Sequence, residues 1–576
     1  MDEGVCAGYV YSEKYYNFLI KYDRDIESVE RVLKPECINI INNQFLVAYK
    51  RLEDGEDIYL YGYNAVPKCY GLMDTTAVEA IGATAVSNLP GLNLKGREVL
   101  IGFVDTGIEY TNPLFINRDG TTRIEYIWDQ NQEVEGDGNK VFGFGAEFSR
   151  EDINEAIKTD SPYDLVPTTD SNGHGTFLAS VAAGGEDTNN NFTGVAPESK
   201  LIVVKLKEAK SNLKEAMLIN EDAVCYSEDD IMLGIKYLIN KAVILDRPLV
   251  ICLGLGTSQG DHNGNTNLEI YLNTLSNLRG VCVVSPVGNE LGTGIHFSGN
   301  NRINMSEAFE DMEISVGEED RGFVMELWGN APGLLSVEVL SPTGERISGG
   351  NPVRDNREEL QFVFEGSRVV IDNYVVDSYS GDQLVVLKFI NPTSGIWTVR
   401  VRETSGIIGG GFDAWLPIQE FRNSRTIFVR SDPNVTICSP GNGEGGITVA
   451  GYNHTNNALY VNSGRGYTRK GRIKPDVTAP SVEVYGAFAI GRRVREESLF
   501  TTRSGSSVGA ALTAGGVALI MEWGLVDGNN PGMSLQVIKQ MLIRGTDKVA
   551  DTEYPNPSWG WGVVDILGSF DVIRNS

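Results

Sequence analysis

The chain is poor in histidine, with four in 576 residues, and in cysteine, with seven. The cysteines, Cys6, Cys37, Cys69, Cys225, Cys252, Cys282 and Cys438, form no C-x-x-C pair, and three fall in apolar or strand-like runs. Buried reduced thiols are therefore expected rather than a disulfide scaffold, and zinc-binding spacing is absent. Neither a P-loop nor an EF-hand occurs. Positive charge is also scarce: 49 Lys and Arg stand against 77 Asp and Glu, a net charge of −28. That balance argues against nucleic acid or an anionic membrane as the main partner. Met1-Asp2-Glu3-Gly4-Val5 opens without a basic n-region or an apolar h-region, and no apolar run reads as long enough to span a bilayer. The expectation is an intracellular chain with no membrane insertion. Its length and 41% hydrophobic content allow several domains and a large core.

Against this background three short segments carry the chemistry. Val104-Asp105-Thr106-Gly107 ends an apolar run from Val99, the pattern of a buried parallel strand that delivers a carboxylate at its C-terminal end. In Asn172-Gly173-His174-Gly175-Thr176 the imidazole precedes Phe177, Leu178, Val181 and Ala182 at helical spacing, so a helix is expected to start near His174. Ser504-Gly505-Ser506-Ser507-Val508-Gly509 leads into a run, Val508 to Ile520, that is small and apolar on all sides. Such a helix is buried, and its N-terminus favours negative charge developing near the serine. A carboxylate, an imidazole and a hydroxyl are the groups that nucleophilic acyl transfer needs.

Each segment alone has a plainer reading: a turn aspartate, a loop histidine, a buried helix start. Two other chemistries are also disfavoured. Asp-Thr-Gly occurs once, whereas an aspartic protease needs two carboxylates sharing a proton. Gly505-Ser506-Ser507-Val508-Gly509 fits a nucleophile elbow, but that fold places its histidine after the serine, and none follows His454.

The order Asp, His, Ser, together with these flanks, resembles the subtilisin-like serine proteases. The resemblance implies an α/β fold with a parallel sheet and flanking helices, serine-type endopeptidase activity, and Asp105, His174 and Ser507 as the triad. Ser285-Pro286-Val287-Gly288-Asn289-Glu290 follows an apolar strand and is similar to the family segment that carries the oxyanion asparagine. Asn289 would then stabilise the tetrahedral intermediate together with the Ser507 N–H. Leu253-Gly254-Leu255-Gly256 resembles the strand that pairs with an extended substrate, which implies Gly254, Leu255 and Gly256, with Gly288, as substrate-binding residues. Ser506, Gly509 and Ala511 stand where the family has Thr, Ala and Pro. Pro286 and Val287 replace smaller alanines beside the specificity pocket, which suggests a narrowed pocket. Catalysis of this kind requires no cofactor. The family often binds structural calcium, for which the loop Glu186 to Asn191 is the one candidate.

Three parts are expected along the chain. Residues 1–75 carry Ile26, Val29, Val32 and Leu33 at helical spacing and a strand from Phe45 to Tyr49. By resemblance they form a prodomain that templates folding and blocks the site. Residues 76–300 and 430–576 match the catalytic domain, with Ser227 expected to cap a helix whose first turn is Glu228, Asp229 and Asp230. In residues 301–429 the period becomes two: Val337 and Val339 alternate with polar neighbours, as do Trp397, Val399 and Val401. An inserted, jelly-roll-like β-sandwich is expected there.

This arrangement, with the phrase Leu255 to His262, resembles the clostridial germination-specific Csp proteases. The resemblance implies a protein packaged in the spore that cuts the zymogen of a cortex-degrading hydrolase during germination. It also implies self-processing near Met73 to Thr76, a cleaved prodomain that stays bound, and other Csp-family proteins as further partners. Two alternatives remain: a germinant-sensing pseudoprotease with a silent site, and a general degradative intracellular subtilisin.

Overall fold

Short β-branched runs separated by glycine-rich turns build the centre of the molecule. The computed structural model describes residues 6–52, 58–72, 79–89, 91–132, 141–299, 309–349, 355–404, 411–489 and 499–574. Strands Ile447–Asn453, Val281–Pro286, Leu249–Leu253, Leu100–Asp105, Lys200–Lys205 and Ile124–Asp129 lie side by side in that order, all parallel. Val477–Pro480 adds in parallel to the first of them, and Ala458–Leu459 and Ala146–Ser149 pair antiparallel at the two ends. Register sets Leu253 beside Val104 and Cys252 beside Val284, so the C-terminal ends of three neighbouring strands come out abreast. In a parallel sheet that edge is where ligands bind.

Helices cover both faces. Ser506–Met521 is buried over all 16 of its residues and packs on the sheet and on the helix His174–Ala183. Gly515 makes this possible, because a Cβ there would lie 2.6 Å from Val195 Cβ and 2.7 Å from the Ala182 carbonyl. With its continuation to Val526 this helix is long and apolar enough to cross a membrane, contrary to the expectation from hydropathy, but 89% of its apolar window is buried inside the protein. It is a core helix.

The N-terminal region forms a three-stranded antiparallel sheet, Tyr16–Lys21, Phe45–Lys50 and Cys37–Ile40, with the helix Ile26–Leu33. Val29 and Leu33 are buried, but Val32 is 69% exposed, because it sits about 100° around the helix from Leu33. Cys6 and Cys37 are joined in a disulfide, which corrects the expectation for that pair; Cys69, Cys225, Cys252, Cys282 and Cys438 are free and buried.

The region docks on the N-terminus of the helix Glu228–Leu245. Ser227 makes no side-chain cap there; its hydroxyl bonds Asp229 instead. The first-turn carboxylates turn inward, Asp229 accepting from Asn17 Nδ2 at 2.6 Å and Glu228 from the Lys68 N–H at 3.3 Å. Lys210 Nζ donates to the carbonyls of Tyr9 and Tyr15 and to Asn17 Oδ1. The acidic first turn of this helix is thus an interface.

Among the described residues between the catalytic segments stand two antiparallel sheets, one of six strands and one of five. Val337 pairs with Val401 and Val339 with Val399, as the alternation predicts. The sheets face each other through contacts such as Trp397 edge-on to Phe389, with ring centroids 5.6 Å apart. The sandwich begins with His296–Gly299, upstream of residue 301, because that strand pairs with Phe412–Trp415.

Its hydrophobic core is continuous with that of the N-terminal region. Polar contacts reinforce the junction: buried Glu326 accepts from Tyr63 OH at 2.7 Å and from the Gly260 N–H at 2.9 Å. On the other side Trp415 is stacked between His262, at 4.0 Å, and His296, at 4.7 Å. Burial lowers His262 to about 3, although its bond to the Ser258 carbonyl opposes the shift.

An unfolded histidine takes up its proton near pH 6.5, whereas folded His262 resists until about pH 3. Stability present above pH 6.5 is therefore lost as pH falls through that window. Thermal unfolding followed from pH 7 to pH 4 should show a falling Tm, with a smaller fall in His262→Phe, which keeps a ring against Trp415. Equal slopes in the two proteins would count against this account.

Candidate active site

Asp105 ends its strand at the C-terminal edge of the sheet, and His174 begins a helix directly after Gly173. His174 Nδ1 lies 2.7 Å from Asp105 Oδ1, and His174 Nε2 lies 3.3 Å from Ser507 Oγ. All three side chains are buried. Asp105 holds the Nδ1–H tautomer, which leaves the Nε2 lone pair facing the serine hydroxyl. The longer His–Ser contact suits a site without substrate. The sequence-predicted Asp105, His174 and Ser507 are thus in contact, although hundreds of residues separate the first from the last.

Asp170 was not foreseen. Its Oδ1 accepts from Thr106 Oγ1 and the Gly173 N–H, and its Oδ2 from the N–H and hydroxyl of Thr176, each at 2.7–2.8 Å. One buried carboxylate therefore ties the aspartate turn to the histidine helix. Only a carboxylate just ahead of the Gly-His-Gly turn could have hinted at it.

Asn289 stands at the N-terminus of the serine helix. Its Oδ1 accepts from the Ser506 N–H at 3.0 Å and from Ser506 Oγ at 3.1 Å. This orientation leaves the Asn289 NH2 uninvolved in the contact with Ser506. Ser506 Oγ also reaches the Gly288 carbonyl at 3.1 Å, so the serine that replaces the family's threonine still fastens this turn.

The four residues expected to bind substrate divide. Leu255 and Gly256 form a strand that pairs antiparallel with Leu72 and Gly71 of the same chain. Cys69–Leu72 pairs on its other side with Tyr226–Ser227, a second wall that sequence pattern did not disclose. Gly254 lies elsewhere: a Cβ on it would fall 2.7 Å from Asp105 Oδ2 and 2.8 Å from His174 Cε1, so its role is to make room for the aspartate and histidine. The Gly288 carbonyl is taken by Gly464 N–H and Ser506. Val287, expected to narrow the specificity pocket, is buried with Ile437 and Ala450.

A cleft of about 1120 Å3 opens beside His174, between Asn172 and Arg503 on one side and residues 220–224 and 319–321 on the other. Glu319, Asp320 and Arg321 reach this cleft from the inserted sandwich. The expected calcium loop does not form a cradle. Asp187 Oδ1 accepts from the backbone of Asn189 and Asn190, its Oδ2 from Asn190 Nδ2, and no group of metal-ligating side chains gathers among the described residues.

The profile of the subtilase family, peptidase S8, matches residues 96–395 and 397–562. The chain belongs to the subtilase family. It is a serine-type endopeptidase by that membership. Among solved structures it is similar to the CspB protease of Clostridium perfringens, with 32% identity and a TM-score of 0.74 over 86% of this chain and 98% of that one. Fervidolysin of Fervidobacterium pennivorans, at 12% identity and TM-score 0.50, covers 97% of this chain and 61% of its own, and shares the fold alone. Serine protease AprX of Bacillus subtilis is 34% identical over 147 residues, 23% of this chain and 31% of that protein. The match thus spans less than a third of that curated relative.

Because Gly254 leaves room for both Asp105 and His174, Gly254→Ala should abolish labelling of Ser507 by a fluorophosphonate while the protein still folds, with a Tm lowered by a few degrees. Labelling at the wild-type rate would show that the aspartate and histidine do not depend on this gap.

Proposed function

We propose that this subtilase is an active, self-processing endopeptidase with one dedicated protein substrate. Ser507 attacks the scissile carbonyl, His174 takes the hydroxyl proton and returns it to the leaving amine, and Asp105 holds the imidazole and balances its charge. The Asn289 amide and the Ser507 N–H receive the oxyanion. Neither metal nor cofactor takes part in these steps. Contact between all three triad members favours this reading over a silent, germinant-sensing site.

The observation that carries the proposal is the short sheet beside the triad, where Cys69–Leu72 lies between Tyr226–Ser227 and Leu255–Gly256. An extended segment held by both walls occupies the place of a substrate. It belongs to the N-terminal region, just ahead of Met73 to Thr76, where the cut is proposed; those residues lie outside the described part. The region acts as a prodomain, residues 1–75, that remains on the enzyme after cleavage. Residues 76–300 and 430–576 are the catalytic domain, and the inserted sandwich braces both. A segment retained in the substrate cleft disfavours general proteolysis, and with it the degradative alternative.

The likeness to the Clostridium perfringens CspB protease supports a germination role: limited proteolysis of a cortex-hydrolase zymogen by an enzyme packaged in the spore, alongside other Csp-family proteins. N-terminal sequencing of purified protein should find a new terminus between residues 73 and 77, absent from Ser507→Ala. A single intact chain in both proteins would refute self-processing. Mixed with the zymogen, the wild-type protein should cut it at one site, mapped by mass spectrometry. Digestion of casein without cleavage of the zymogen would identify a degradative protease.

A further inference from the structure

The chain leaves the catalytic domain for the inserted sandwich immediately after Asn289, and the crossing is tightly fastened. Glu290 is 2% exposed, and its carboxyl reaches Gln419 of the insert. Its Oε2 accepts from Thr293 Oγ1 at 2.9 Å and from the Gln419 N–H at 3.3 Å. The Thr293 hydroxyl also reaches the Glu290 carbonyl at 2.8 Å. Buried Arg422, from the far end of the sandwich, donates to the Thr293 carbonyl at 2.9 Å and to the Pro417 carbonyl at 2.9 Å. Further along, Gly294 and Ile295 accept from the N–H groups of Phe428 and Leu416. A carboxyl group buried this deeply costs stability unless its hydrogen bonds are made. Here its bonds join the turn after Asn289 to the short 3-10 helix Gln419–Phe421, which follows the strand Phe412–Trp415 of the insert.

We propose that Glu290 is a positioning residue through which the inserted sandwich holds Asn289 at the oxyanion site. The inference rests on the assignment of Asn289 as oxyanion donor. The Asn289 side chain is held from one side by Ser506 on the serine helix, and the next residue, Glu290, is held from the other by Gln419 of the insert. Displacing a positioned group by about 1 Å can cost about 10²-fold in rate, so a turn freed from the insert should weaken the hole while leaving His174 and Asp105 untouched. The sandwich then serves the reaction itself as well as bracing the fold.

The test is a double-mutant cycle on the full chain, read as the second-order rate of Ser507 labelling by a fluorophosphonate, with a thermal melt for each protein. Asn289→Ala should slow labelling by about 10²–10³. Glu290→Ala should slow it by about 10- to 10²-fold, and Glu290→Gln, whose carbonyl oxygen can accept the same two bonds, should recover most of the rate. In Asn289→Ala the added Glu290→Ala should cost little more, because both act on one donor. Additive losses, an unaffected Glu290→Ala, or a Gln variant as slow as the Ala variant would each overturn the proposal. A wild-type rate in Asn289→Ala would instead show that the oxyanion assignment itself is wrong. Should Glu290→Ala not fold, Thr293→Val removes the hydroxyl that Glu290 accepts, and the same non-additivity with Asn289→Ala decides the question.

Discussion

Everything at the site depends on how closely the serine helix can approach the sheet. Ser506–Met521 is enclosed along its whole length, and its N-terminus, where Ser507 stands, comes to the C-terminal edge of the sheet, where one strand ends on Asp105 and another leads into the turn of Asn289. Small residues along the helix allow that approach. The same closeness removes water from the triad, so the contact between His174 and Asp105 acts in a medium of low polarity, where it orients the imidazole more strongly. The cost is that no side chain fits at Gly254, which has the triad directly against it.

Buried carboxylates organise the rest of the molecule. Asp170 joins the aspartate turn to the histidine helix, Glu228 and Asp229 receive the N-terminal region, and Glu326 ties the sandwich to Tyr63 and Gly260. Burial pushes Glu290 up to about 7, the nearby Glu420 acting in the same sense and Arg422 against it. Such groups are expensive to bury and demand partners in fixed directions, so each specifies a junction more narrowly than apolar packing could. An acidic chain, with its surplus of carboxylates, has used some of them as internal fasteners.

The sandwich and the N-terminal region share one hydrophobic cluster, and both lean on the catalytic domain. That continuity explains how Cys69–Leu72 is held between Tyr226–Ser227 and Leu255–Gly256: the segment is anchored upstream by Asn17, Tyr63 and Lys68 as well as by its own strand pairing. Displacing it means opening a common core, a different matter from releasing a short peptide from a groove.

The sequence alone determined the start of the histidine helix and the alternating strands of the insert, which are written in helical spacing and period-two alternation, while the triad and the parallel-sheet fold were legible through the likeness of three short motifs and their order to the subtilisin-like proteases. Tertiary structure decided what those patterns cannot carry. Ser227 to Asp230 has the composition of an exposed helix cap, and only the docked N-terminal region makes it an interface. Gly254 reads like its neighbours, and only the folded triad shows that it fills a different role from Leu255 and Gly256. Asp170 and Tyr226 carry no motif of their own, Glu290 reads only as the end of the Asn289 segment, and the disulfide partners Cys6 and Cys37 are 31 residues apart. Such contacts join residues far apart in the chain, and direction, burial and the identity of the partner exist only once the chain has closed on itself.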